Sequence, residues 1–263
     1  MKHAKIRHLA SFDAAYAFDV MMKLYGKLWM VGDVERFQEV FVDCVEFKIL
    51  SSGHYHAYKK GRVLHRDLSE NNLTFKEDDE LEGGVKGILN DSDMASKIDQ
   101  QVKSSTARHR TGTLPFIARD LLVDGNPPPH HYRHDLESFF YILVWAALRY
   151  DFKSGARLPI PNGIQEWQST MERANNAKNT MITSAATFKL IISHVQPQSR
   201  DKLVPWIISV RLLFLEASYA EARGLDECDE KTLGGWITFE KFMEALGREP
   251  RPPEPLHVAS ATS

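Results

Sequence analysis

The sequence predicts a mainly α-helical α+β domain. Three observations carry that prediction: an apolar stripe of helical spacing over residues 35–59, two short strand-like runs around residues 72–75 and 85–89, and a second half patterned for helices. In the first segment Phe37, Val40, Phe41, Cys44, Val45 and Ile49 recur three and four apart, as on a helix with one buried face. The polar string His65-Arg66-Asp67-Leu68-Ser69-Glu70-Asn71-Asn72 follows as a bent loop. Asn72 to Phe75 and Val85 to Leu89 then read as a hairpin across the acidic, glycine-ended turn Lys76 to Gly84. A basic, hydroxyl-rich loop runs from Ser96 to Arg110. From Asp135 to Leu148 nearly every side of the helix is apolar, so it is expected at the domain centre, buried all round. After the Gly- and Pro-containing loop Ser154 to Gly163, helices are expected at Trp167 to Lys178, Leu203 to Ala222 and Phe239 to Leu246. The tail from Arg248 holds four prolines and then small polar residues, too little apolar surface to offset chain entropy, and is expected to be disordered. The division expected is a lead-in at 1–34, one domain at 35–246 and a disordered tail at 247–263.

Composition narrows the function. The 263 residues are 43% hydrophobic and 26% charged, as in an ordinary globular protein. A net charge of −2 gives no general attraction to nucleic acid or to an anionic membrane, so neither is an expected partner. Cys44 and Cys228 form no C-x-x-C pair, which argues against a zinc module and for a reducing compartment, cytoplasmic or nuclear. The longest uninterrupted apolar run, Phe139 to Leu148, is ten residues, half of the roughly 20 that span a bilayer. Asp13 interrupts any secretory leader, and the chain is expected to be intracellular.

The loop at 65–72 carries the chemistry. In H-R-D-L-x-x-x-N the Asp accepts the proton of a substrate hydroxyl and the Asn, five residues on, turns back to a Mg²⁺ on the nucleotide phosphates. Asp67 and Asn72 hold those positions. Nineteen residues beyond Asn72, after the hairpin, stands Asn90-Asp91-Ser92-Asp93. Alone, such a turn describes a solvated loop or helix cap as well as a metal site; its order and spacing after Asp67 favour Asp91 as a metal ligand. Gly112-Thr113-Leu114-Pro115-Phe116 and His134-Asp135-Leu136-Glu137-Ser138 follow in order. His130, His131 and His134 lack any Cys partner and read as a polar helix entry rather than a metal cluster.

With HRDLS, the Asp-x-Asp, GTLPF and HDLESFFY in place, the chain resembles the C-terminal lobe of a eukaryotic protein kinase, and more closely the fungal-type protein kinase family, over about residues 35–246. The resemblance implies a kinase C-lobe with a short β-hairpin and the N-lobe largely absent. It implies phosphoryl transfer from Mg-ATP to Ser or Thr of a protein substrate, with Mg²⁺ and ATP as cofactors. Asp67 matches the catalytic base, Asn72 and Asp91 the metal ligands, and Thr113 the hydroxyl that supports the base. Arg66 matches the arginine that pairs with an activation-loop phosphate, for which Ser104, Ser105, Thr106 and Thr111 are candidate acceptors. His65 and Asp135 match groups that hold the loop backbone.

The chain also departs from the common kinase pattern. Ser69 stands where a lysine usually contacts the transferred group, Ser92 and Asp93 replace Phe-Gly, and Arg119-Asp120 replace Pro-Glu, leaving Asp120 a shorter reach to a downstream arginine. The residues before the first helix hold no glycine-rich phosphate loop, no V-A-I-K strand and no Walker sequence, so the nucleotide roof is expected from sequence outside this chain. Two other readings stay open: a catalytically inactive kinase-like scaffold, and a small-molecule phosphotransferase, against which the GTLPF peptide-docking segment speaks.

Overall fold

The computed structural model describes residues 25–46, 63–78, 84–90, 96–97, 112–224 and 229–251. In chain order the elements are β1 (Gly26–Lys27), α1 (Val34–Glu46), β2 (Val63–Leu64), β3 (Leu73–Asp78), β4 (Gly84–Leu89), β5 (Ser96–Lys97), α2 (Tyr132–Arg149), β6 (Tyr150–Asp151), β7 (Ala156–Arg157), α3 (Met171–Thr183), α4 (Ala185–Ile192), α5 (Pro197–Ala222) and α6 (Phe239–Ala245). Helix predominates, as the apolar spacing predicts.

Helix α1 starts where Asp33 caps it, its Oδ1 accepting the Arg36 amide at 2.7 Å. The sequence shows one apolar stripe, but every residue from Val40 to Glu46 is buried. The polar side is covered too. Arg251 lies on Asp43 and Glu46, and the Gln38 amide donates to the Lys202 carbonyl at 3.3 Å.

Strands β3 and β4 form the expected hairpin, Leu73 opposite Leu89 and Phe75 opposite Gly87, and β1 adds a third strand through Lys27 opposite Thr74. The hairpin lies directly on α1. A Cβ at Gly87 would collide with the Val40 carbonyl oxygen, and the Gly87 amide donates to Asp43 Oδ2 at 2.8 Å. Gly87→Ala is therefore expected to push β4 off α1 and lower stability by about 1–3 kcal/mol, read as a urea midpoint shift; an unchanged midpoint would contradict this packing.

Helix α2 is the hub. All of its residues but Arg149 are buried, as the apolar run predicts. Phe139 meets Phe41 edge to face at 5.9 Å between centroids, and Phe140 stacks on Phe214 of α5 at 5.5 Å. Leu203, Ile207, Val210, Phe214 and Ala217 turn one side of α5 into this core. By length and composition α5 could also cross a membrane.

The region after α2 differs from the expectation. Residues Asn162–Gln168 form a 3₁₀ stretch that buries Ile164 and Trp167, and the α-helix begins only at Met171, after Thr170 accepts the Arg173 amide. Trp167 is an anchor ahead of the helix, not its first turn. Ser184 then ends α3 and begins α4, its amide donating to the Thr180 carbonyl and its hydroxyl accepting from the Thr187 amide. Of the tail expected to be disordered, residues 247–251 are described, and Arg251 is fastened to α1; the rest lies outside the described residues.

Candidate functional site

The loop between β2 and β3 is held from below by one carboxylate. Asp135, 1% exposed near the start of α2, accepts the His65 amide on Oδ2 at 3.0 Å and the Arg66 amide on Oδ1 at 3.3 Å. His130 Nε2 also lies 2.8 Å from Oδ1. Arg66 has φ +69°, a left-handed conformation unusual for a residue with a side chain. The two amides aimed at Asp135 compensate for that strain, about 1–3 kcal/mol at such a residue. Burial lowers the Arg66 pKa, with Asp135 opposing.

Asp67 follows, half-buried. Asn72 bends back beneath it: its Nδ2 donates to the Asp67 carbonyl at 2.7 Å and its amide to the Ser69 carbonyl at 3.1 Å. Ser69 is 3% exposed, so the residue in the usual lysine position belongs to the loop wall. Thr113 Oγ1 lies 3.5 Å from Asp67 Oδ1, at the limit of a hydrogen bond. Gly112, at φ +125°, makes the turn that brings Thr113 there; a Cβ on it would press Ile117 at 3.0 Å.

Asn90, at the end of β4, is held at three points. Its amide donates to the Asn72 carbonyl at 2.8 Å, its Nδ2 donates to Thr74 Oγ1 at 2.7 Å, and its carbonyl sits 3.0 Å from His65 Nε2. The Thr74 hydroxyl in turn donates to the Ile88 carbonyl at 3.1 Å. His65 thus joins the first residue of the loop to the residue before Asp91. The only sequence signal for Asn90 is its adjacency to the Asp-x-Asp. Asp91 itself, with Ser92, Asp93, Ser104, Ser105, Thr106 and Thr111, lies outside the described residues.

Glu70 is a second residue that the motif does not announce. Buried beneath the loop, it accepts from Trp145 Nε1 at 2.9 Å, from the Tyr150 hydroxyl and from Arg157 Nη1 at 3.3 Å. Burial and the Glu70 charge push the Tyr150 phenol well above its ordinary pKa, so it stays a donor. The loop is therefore tied to α2 at both ends, by Asp135 and by Glu70.

Arg119 and Asp120, where Pro-Glu is usual, form paired ion contacts with α2. Arg119 donates through its amide and Nε to Glu137 Oε1 at 3.0 and 2.9 Å, and Nη1 reaches Asn179 Oδ1 at 3.0 Å. Asp120 finds its downstream arginine in Arg133. Burial alone would raise the Asp120 carboxyl; His134 and Arg133 pull it well below the usual range instead. A cavity of about 170 Å³ opens beside these pairs and includes neither Asp67 nor Asn72. Among the described residues no group of three or more His, Cys, Asp or Glu could hold a metal. The His131 amide donates to His134 Nδ1 at the entry of α2, and His130 meets Asp135.

The residues fit a hard cation in one respect. The Asn72 nitrogen is committed to the Asp67 carbonyl, which leaves Oδ1 as the atom to offer a metal. Residues 14–147, slightly more than half of the chain, match the family described as fungal protein kinase, and the chain belongs to that family. No curated protein matches it.

Proposed function

We propose that this chain is the substrate-side lobe of a protein kinase that transfers the γ-phosphoryl group of Mg-ATP to a serine or threonine hydroxyl of a protein. The observation that carries the reading is the anchoring of Asp67 between the Asp135-bound backbone and the inward-turned Asn72. Asp67 orients the acceptor hydroxyl and takes its proton as the oxygen–phosphorus bond forms and the bond to ADP breaks. Asn72 Oδ1 and Asp91 would hold the Mg²⁺, which neutralises charge on the phosphates when bound. Thr113 fixes the Asp67 carboxylate, which supports a Ser/Thr acceptor. Gly112 to Asp120 dock the peptide. A roof over the nucleotide completes the ATP site, and the protein works inside the cell without nucleic acid or membrane.

The test is phosphate transfer from labelled ATP to a peptide library, using an N-terminally extended protein and its Asp67→Ala variant. Transfer in the parent and its loss in the variant is the expected outcome. Equal rates would remove the enzyme reading and leave the inactive scaffold; transfer to sugars or alcohols but to no peptide would replace the substrate class.

A further inference from the structure

Helix α3 looks like a surface helix in sequence, yet it carries a fully buried cation. Its inward residues are Ala174, Lys178, Met181 and Ile182, one face of the helix, and Lys178 is 0% exposed. A lysine placed there must have its N–H groups received. Nζ donates to the Ile117 carbonyl at 2.6 Å and to the Leu114 carbonyl at 3.1 Å. It also lies 4.4 Å from the Tyr141 ring centroid and 5.9 Å from that of Trp167.

Those two carbonyls bracket the 3₁₀ turn Leu114–Phe116 of the docking segment. The turn closes through the Phe116 amide on the Thr113 carbonyl at 2.8 Å, and Thr113 is the residue that reaches Asp67. Phe116 in turn meets Trp145 of α2 edge to face at 5.5 Å. Lys178 is thus linked through a single turn of backbone to the proposed base. We propose that Lys178 is a positioning residue that clamps the Leu114–Ile117 turn and thereby sets both the peptide-docking surface and the Thr113–Asp67 contact. Its effect on transfer rests on the function proposed above; the clamp itself does not.

Burial, opposed by Glu137 and reinforced by Arg119, brings the Lys178 amine down to about 7. The ammonium has three N–H bonds and the neutral amine two, so either form can serve both carbonyls. The clamp tolerates the titration.

Two variants of the whole chain separate a clamp from mere packing. Lys178→Met keeps the apolar stem and removes the donors; Lys178→Gln retains two N–H bonds on a shorter arm. Amide hydrogen exchange is read over residues 112–118 with residues 132–149 as internal reference. The expected result is about ten- to hundredfold faster exchange at 112–118 in the Met variant, a smaller rise in the Gln variant and no change in the reference. No change at 112–118, or an equal rise in both regions, would overturn the clamp. In the extended protein the Met variant is expected to raise peptide KM about tenfold with ATP KM unchanged; unchanged peptide KM would overturn the link to docking. If the parent transfers phosphate to no peptide, the proposed function fails, while the exchange data still decide the clamp.

Discussion

Asp135→Ala is expected to cost about 3–5 kcal/mol of stability and to release the loop that carries Asp67. The side chain is 1% exposed and receives the His65 and Arg66 amides together with His130 Nε2. Removing it leaves the buried His65 amide and the part-buried Arg66 amide without this acceptor, at a desolvation cost of about 1–3 kcal/mol for a fully buried donor. Arg66 then has less reason to hold φ +69°, and its relaxation rotates the next residue, Asp67. Chemical denaturation reads the stability loss. Faster amide exchange at residues 65–67 than in α5 reads the release. Asp135→Asn preserves shape but turns a donor toward one of the amides, so an intermediate loss is expected. A wild-type midpoint in the Ala variant would show that the loop holds its own shape.

Between pH 6.5 and 4 the domain is expected to lose about 3 kcal/mol through His134 alone. Its ring is fully buried, and burial, helped by Arg133 and His130 and opposed by Asp120, brings its pKa from the ordinary 6.5 to about 4. The geometry agrees: Nδ1 accepts the His131 amide at 3.0 Å, a bond that protonation of that nitrogen would break. In this window the unfolded chain binds a proton that the folded chain refuses, so stability falls as pH falls. Asp120 acts lower on the scale. Its folded pKa is depressed, so its contribution is present above the ordinary carboxylate range and disappears as pH drops through and below it. Urea midpoints for the parent and for His134→Gln at pH 7, 5.5 and 4.5 measure the first window. The parent should fall across the series while the variant stays nearly flat; parallel curves would place the acid sensitivity elsewhere.

The sequence makes the centre of this molecule legible and the fastenings much less so. Helix α2 announces itself because residues buried on every side must be apolar, and the hairpin because two β-rich runs flank a turn. The loop is legible because the string His65 to Asn72 matches a motif with few allowed residue types, within the span that the family model covers. Lys178 is not. It sits among Arg173, Asn175, Asn176 and Asn179, and nothing local distinguishes a cation that enters a core from one that meets water. Trp167 misplaces the start of α3 for a related reason, since an apolar anchor in a 3₁₀ stretch and one in the first α-turn give the same pattern. Asn90 and Glu70 are unmarked because each works through partners from other elements, among them His65 and Thr74 for one and Trp145, Tyr150 and Arg157 for the other.

The contact of Arg251 with α1 has a bearing on how the molecule is made. Asp43 Oδ1 receives Arg251 Nη2 at 2.6 Å and Glu46 receives both its amide and its Nε, across 205 to 208 residues of chain, while the other Asp43 oxygen holds Gly87. On a ribosome adding about 5–20 residues per second, those carboxylates emerge about 10–40 s before the guanidinium that covers them. For that interval the hairpin rests on an α1 whose outer charges are unpaired. A residue late in the described chain thus covers the charges of a helix made early, and the outer side of α1 is finished only when Arg251 has been added.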